Sequence, residues 1–310
     1  MRFILSRKGY DSQFGGSPSP VFRSKDQNFD GLMYSIPIPE CDSKGNSFDF
    51  GLPAPQTPVG FPVNTRYFHL DPDIRPELHH EPHIKRPNEW KPILGQSGAA
   101  ASHLKAQHVQ SGDIFLFFGL FQDVEWNENN KQWLFGNSKP YHAIWGYMQI
   151  AEIINTIDSK IQEQYKWHPH CKSYYLNDKN NTLYIGNEGK LTIRIGNEWK
   201  QMISDTVLND QGYGAFKYGD KLRLTLPQAP HVTQWKLDCL PWLDAKKKET
   251  HMSYHNDEDS FQHEFFKAAT RGQEFVTDDF ENESELGKKV FDWFKDLVTL
   301  RTSFPEKQLQ

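Results

Sequence analysis

"SGDIFLFFGLF", residues 111–121, and "HAIWGYMQIAEI", residues 142–153, decide the reading of the fold. A glycine-aspartate turn feeds the first run, and both are apolar stretches rich in aromatic and β-branched residues, which favour strands over helices. A polar loop separates them, so two strands paired across a variable connection are expected. Downstream, "NTLYIGN" (181–187), "KLTIRIGN" (190–197) and "KLRLTLP" (221–227) are short alternating runs spaced by Gly, Asn and Asp. That is the pattern of antiparallel strands, and it extends the sheet to about residue 226.

Upstream, residues 2–6 read as a short opening strand that ends at Gly9, Gly15 and Gly16. Residues 17–95 are dense in proline ("PSP", "IPIPE", "LPAPQTP", "RPNEWKP") yet keep recurring aromatic and aliphatic residues, which suggests long ordered loops with short strands. "GQSGAAASHLKAQHV" (95–109) predicts a helix beginning at about 99, with Ser97 or Ser102 as its cap. Beyond 257 the period changes. "DEDSFQHEFFKAATRG" (257–272) and "ESELGKKVFDWFKDLVTLR" (283–301) place Phe261, Phe265, Val290, Phe291, Phe294 and Leu297 on helical faces, capped by Ser260 and Ser284. "QEFVTDD" (273–279) between them reads as a short strand or extended edge. The expected class is α+β. It is expected as one domain over 1–310, with a loop-rich segment at 1–92, a barrel at 93–226 and a segment with helices at 227–310.

The 310 residues include 9 Trp and 22 Phe, and 37% are hydrophobic, enough for a sizeable core. A formal net charge of -5 excludes a global basic field for duplex DNA, so any nucleic acid must bind at a local patch. Three widely spaced cysteines, Cys41, Cys171 and Cys239, argue against a disulfide framework. The apolar run at the start stops at Leu5 and no later stretch reaches 18 uncharged apolar residues, so neither a signal peptide nor membrane contact is expected and a cytoplasmic location is.

The pattern of Gly112 and Asp113, then Trp145, Gly146 and Glu152, looks like the small β-barrels of the PUA, EVE and ASCH group. In those barrels paired strands form a pocket that accepts a base. Three further stretches are "FILSRKGYDSQFGGSPSP" (3–20), "GQSGAAASHLKAQHVQSGDIFLFFGLF" (95–121) and "AATRGQEFVTDD" (268–279). Together with "WHPH" and "QWKLDCLPWL" they resemble the nucleotide-modification-associated domain 3 family, over nearly the whole chain. That family occurs in bacteria and phages and is tied by genome context to DNA base modification. The resemblance implies a process and not a mechanism: a nucleotide or nucleic-acid partner, DNA ahead of RNA, and partner proteins of a modification or phage-defence operon. "RGQEFV" is also similar to the "AEFLV" element carrying the catalytic Glu of DNA-targeting ADP-ribosyltransferases, which implies NAD as an alternative co-substrate.

The candidate residues follow from their chemistry. Arg7 and Lys8 end the opening strand, and the backbone N–H groups of Gly15, Gly16 and Ser17 suit an anion, with Arg7 as a bidentate donor. Gln96 and Ser97 precede a helix N-terminus where an anion or base edge can dock. Phe117, Phe118, Phe121 and Trp145 are candidates to stack a base, and His103 and His142 to line its pocket. Glu274 begins a strand beside Arg271 and Gln273, the arrangement of a general base with an amide for a ribose or base edge; Asp11 and His255 complete the catalytic candidates. We expect Arg7, Lys8 and Asp11 to face Arg271, Gln273 and Glu274 across the site.

"WHPHC" brings His168, His170 and Cys171 within four residues, but zinc ligands usually sit two to four apart and need a fourth from elsewhere, so no metal site is expected. "HHEPH" (79–83) and "DAKKKETH" (244–251) read as solvated loops, the latter with Lys246, Lys247 and Lys248 as a local phosphate patch. The cofactor is left open. An enzyme acting on a nucleotide or nucleobase by group transfer or hydrolysis is the leading reading. A non-catalytic reader of modified bases, which needs an aromatic pocket and basic rim but no buried carboxylate, is the alternative.

Overall fold

The computed structural model describes residues 1–11, 15–23, 31–39, 52–53, 67–75, 89–155, 157–195, 198–201, 211–255, 258–270 and 274–300. Its strands are β1 (Phe3–Arg7), β2 (Ser19–Arg23), β3 (Leu32–Met33), β4 (Leu52–Pro53), β5 (Tyr67–Phe68), β6 (Ile93–Gln96), β7 (Ile114–Asn127) and β8 (Gln132–Phe135). They continue with β9 (Tyr141–Ile154), β10 (Thr182–Gly186), β11 (Thr192–Ile195), β12 (Glu198–Gln201), β13 (Tyr213–Ala215), β14 (Gln234–Trp235), β15 (Phe266–Lys267) and β16 (Glu274–Val276). The helices are α1 (Gly98–Ala106), α2 (Ser159–Gln164), α3 (Ser173–Leu176) and α4 (Glu285–Val298).

The spine is the expected pair, β7 and β9, 14 residues each and antiparallel over Ile114↔Gln149 to Phe121↔Tyr141. The first eight residues of β7 are all buried, which explains why the sequence runs apolar there instead of alternating: both faces of the sheet are covered. On one face α4 lays Phe294 edge-on to Phe3 of β1 (5.3 Å between ring centres) and to Tyr147 of β9 (5.6 Å). Ser284 caps α4 by accepting from the Gly287 N–H at 2.9 Å, as its position predicts.

The main path of the sheet is β16-β1-β7-β9-β10-β6. β1 runs parallel to β7 over Phe3↔Ile114 to Arg7↔Phe118, and β2 runs parallel to the next stretch, Ser19↔Phe121 to Arg23↔Glu125. The opening loop therefore lies between two collinear strands on one edge of β7. It leaves the sheet at Lys8, whose N–H donates to the Phe118 carbonyl at 2.8 Å. Gly119 makes that departure sterically feasible, since a Cβ there would meet the Lys8 carbonyl oxygen at 2.6 Å.

Three expectations change. The barrel expected over 93–226 is an open, curled sheet that also includes β1 and β16. Its two end strands, β6 and β16, form no ladder among the described residues, and Gln96 of β6 donates a side-chain hydrogen bond to Glu274 of β16. The helix expected over 257–272 is absent among the described residues: Glu258–Ser260 form a single 3-10 turn, and Phe266–Lys267 pair with β14. Burial explains this, because Phe261, Phe266 and Ala268 are the core residues while Phe265 is only half-buried, a spacing that fits an extended chain and not one helix face. Finally, "KLRLTLP" is a 3-10 turn at Asp220–Leu222 followed by isolated bridges, Ala143↔Arg223 and Thr225↔Trp235, where a regular strand was expected.

Candidate active site at the end of β1

Where β1 leaves the sheet, its neighbour on the outer side is β16, antiparallel with Ser6 opposite Glu274. Pairing places Glu274 at the first position of an edge strand, and the curl of the sheet brings β6 over it. The Glu274 carboxyl is 1% exposed. Its Oε1 accepts from Ser6 Oγ at 3.1 Å and from Gln96 Nε2, and lies 3.7 Å from Lys8 Nζ. Its Oε2 is buried with no hydrogen-bond partner among the described residues. Burial raises the Glu274 carboxyl to about 7, against the opposing pull of Lys8 and Ser6.

Lys8 connects this acid to a second one. Its Nζ is also 3.8 Å from Asp71 Oδ2, and Asp71 is buried as well. Burial works against the Asp71 charge, but the Lys8 ammonium and the His168 and His69 imidazoles beside it hold it well below the usual carboxylate range. The Gly95 N–H, at 2.7 Å from Oδ1, donates a further bond. Two buried carboxyls sharing one ammonium are thus driven apart, one ionised and one poised near neutrality, the pattern by which acid and base roles are divided.

Three histidines surround Asp71: His168 Nε2 is 3.5 Å from Oδ1, His69 Nε2 3.7 Å and His170 Nε2 3.9 Å from Oδ2. The His170 ring is seated by Gly95, where a Cβ would lie 2.2 Å from His170 Cδ2. Burial pushes the His170 imidazole down to about 3, so it is neutral. His69, Asp71 and His170 each present a donor atom within 4.8 Å of the others, the one set of three among the described residues that could hold a cation.

These groups floor a cleft of about 180 Å³, lined among others by Arg7, Lys8, Asp71, Gln96, His170 and Tyr175. Ser97 and Ala100 of the α1 N-terminus form part of its rim. The cleft offers an anion the charges of Arg7 and Lys8, and His170 and Tyr175, stacked on each other with ring centres 4.3 Å apart, form part of its wall. The description of nucleotide modification associated domain 3 fits residues 2–278. The chain belongs to this family. No curated protein and no solved structure matches it.

Against this family background, the candidates fall into three groups. Lys8, Arg7, Asp11, Gln96 and Ser97 line the cleft, and Glu274 lies directly behind Lys8 and Gln96. The expected approach of the opening strand to the "EFV" strand is therefore present in the geometry; Arg271 and Gln273 lie outside the described residues. Gly15, Gly16 and Ser17 stand apart from the cleft: Gly15 and Gly16 take positive φ (93° and 76°) in an exposed turn, and the Gly16 N–H is already bonded to the Asp11 carbonyl.

Of the remaining candidates, His142, His255, Phe118 and Trp145 are built into the core. His142 accepts from Trp235 Nε1 at 3.1 Å, and burial lowers it to about 3. His255 accepts from the Ala269 N–H and donates Nδ1–H to the Ser253 carbonyl, so both ring nitrogens are used by backbone. Phe118 and Trp145 are buried, and Phe117 stacks on Trp145 at 5.5 Å. His103 bonds Ser253 Oγ at 3.1 Å on a different surface. The Lys246–Lys248 run lines no part of the cleft and is exposed, with Lys247 between Asp244 and Glu249. Cys171, named with His168 and His170, is buried apart from the donor set.

His69 and Asp71 were not singled out from the sequence. In "HLD" the Asp71 N–H donates to the His69 carbonyl at 2.9 Å, a three-residue turn in the proline-rich stretch that no local periodicity marks. "HHEPH" lies outside the described residues, as does Cys41.

Proposed function

We propose that this protein modifies a nucleotide or nucleobase by group transfer or hydrolysis in the Lys8 cleft. The observation that carries the reading is the Glu274 carboxyl, buried, raised to about 7 and bonded through Oε1 while Oε2 is left without a partner. Such a group takes or gives a proton near neutral pH. In this reading Oε2 receives the proton of the attacking group, Lys8 stabilises the resulting charge, and Arg7 with the α1 N-terminus holds phosphate. The family supports nucleotide chemistry, and DNA is the first polymer to examine.

The test compares nucleosides by mass spectrometry after digestion of DNA and RNA from cells expressing the wild type or, separately, Glu274→Gln. A nucleoside that appears or disappears with the wild type and falls by about 100-fold or more with Glu274→Gln is the expected result, the size ordinarily lost with a general base. An altered nucleoside of equal abundance with Glu274→Gln removes Glu274 from the reaction. A reader of modified bases would leave the nucleoside pool unchanged while binding to it.

A further inference from the structure

We propose that His69, Asp71 and His170 form a binding site for a divalent transition-metal ion of the Zn²⁺ type. One donor atom from each of the three lies within 4.8 Å of the others, and both imidazole Nε2 atoms approach Asp71 Oδ2. Ligands at ~2.1 Å from a tetrahedral ion are about 3.4 Å apart, and His69 Nε2 and His170 Nε2 lie 3.7 and 3.9 Å from Asp71 Oδ2. Closing the set around an ion needs only small side-chain rotations.

A second observation points to a ligand and not to a packed core cluster. The Asn181 amide nitrogen donates to the His170 carbonyl at 2.8 Å, which fixes the amide so that its oxygen faces His170 Nδ1 at 2.7 Å. His170 therefore carries its proton on Nδ1, and the Nε2 lone pair is aimed at the cluster. This is the outer support that metal-binding histidines typically have. At His69 the Tyr175 hydroxyl lies 3.4 Å from Nδ1 and can accept its proton, which is the tautomer that leaves Nε2 for an ion. His168 is turned the other way: Nδ1 accepts from the His170 N–H, so Nε2–H faces Asp71 Oδ1, buried and without a geometric hydrogen bond. It steadies the carboxylate without competing as a ligand.

Two imidazoles to one carboxylate select against Mg²⁺ and Ca²⁺, which prefer oxygen, and in favour of first-row ions such as Zn²⁺. Lys8 is the competing cation. Its ammonium, 3.8 Å from Asp71 Oδ2, would shift toward Glu274 as the ion arrives. The inference stands apart from the proton chemistry of Glu274, because binding of the ion is read without any nucleotide.

The experiment is isothermal titration of the full-length, chelator-treated protein with Zn²⁺, with Mg²⁺ as the second arm and far-UV circular dichroism as the folding control. One Zn²⁺ per chain and no saturable Mg²⁺ binding is expected. His69→Gln and His170→Gln should each weaken Zn²⁺ binding by more than about 100-fold, and Asn181→Leu, which spares every ligand, by about 10-fold. Lys8→Met should tighten it, a gain that no loss of folding can imitate. Absence of one-to-one binding by the wild type, or unchanged affinity in folded His69→Gln and His170→Gln, overturns the proposal; so does weaker binding in Lys8→Met.

Discussion

At the residue scale the site is governed by how few charges occupy it. Among the described residues Lys8 is the one ammonium between Glu274 and Asp71, and it cannot ionise both cheaply in a buried setting. Because the folded carboxyl of Glu274 lies at about 7, above its ordinary 4.5, it stabilises the fold fully below about pH 4.5 and loses that contribution as the pH rises toward 7. The loss is about 3 kcal/mol across that window. His142, neutral in the core with a value of about 3, acts in the opposite sense: its contribution is present above pH 6.5 and lost as the pH falls. The two overlap, so the difference between wild type and Glu274→Gln isolates the acid. Urea unfolding from pH 4.5 to 8 should show Glu274→Gln gaining relative stability with rising pH, by up to about 3 kcal/mol. A constant difference across that range would mean that Glu274 ionises in the fold at its ordinary value.

At the scale of elements, α4 shows what local sequence can carry. Val290, Phe291, Phe294 and Leu297 recur at helical spacing and are all buried, and the cap three residues before Gly287 is where a serine is expected. Phe294→Ala should cost about 3 to 5 kcal/mol, since it touches rings of both β1 and β9, and Ser284→Ala about 1 kcal/mol. Equilibrium urea unfolding measures both; similar costs for the two would mean the helix is held by its ends and not by its buried face. The β7–β9 pair and the opening strand were legible for a different reason, unbroken apolar runs ended by turn residues. The 257–270 stretch was not, because Phe261 and Phe265 mimic a helical i, i+4 pair while the fold buries Phe266 and Ala268 on an extended chain. The Lys8–Glu274 approach could be inferred from motifs at the two ends of the chain. The Asp71 cluster could not, because residues 69 and 71 are far in sequence from 168 and 170, all four lie outside the strands of the sheet, and no period marks them.

At the scale of the whole molecule, the family match and the physical unit do not coincide. The match ends at residue 278, and α4 occupies 285–298 beyond it. Yet α4 covers the centre of the sheet: Phe3 of β1, flanked by β16 and β7, contacts Phe291, Trp293 and Phe294, and Phe280 closes the same side. Five α4 side chains, Val290, Phe291, Phe294, Leu297 and Val298, are at most 2% exposed. Burying each contributes about 1.5 to 3 kcal/mol, so together they supply on the order of 10 kcal/mol, comparable to the net stability of an entire domain. β1 also carries Ser6 at its end and delivers Lys8, so uncovering it loosens the very strand that positions Glu274. A chain ended after residue 279 keeps every residue of the family match and should nevertheless fail to fold: no cooperative thermal transition by circular dichroism, and rapid proteolysis where the full chain resists. A cooperative melt close to that of the full chain would instead show that β1 is held by β7 and β16 alone, and that α4 is an accessory to the family fold.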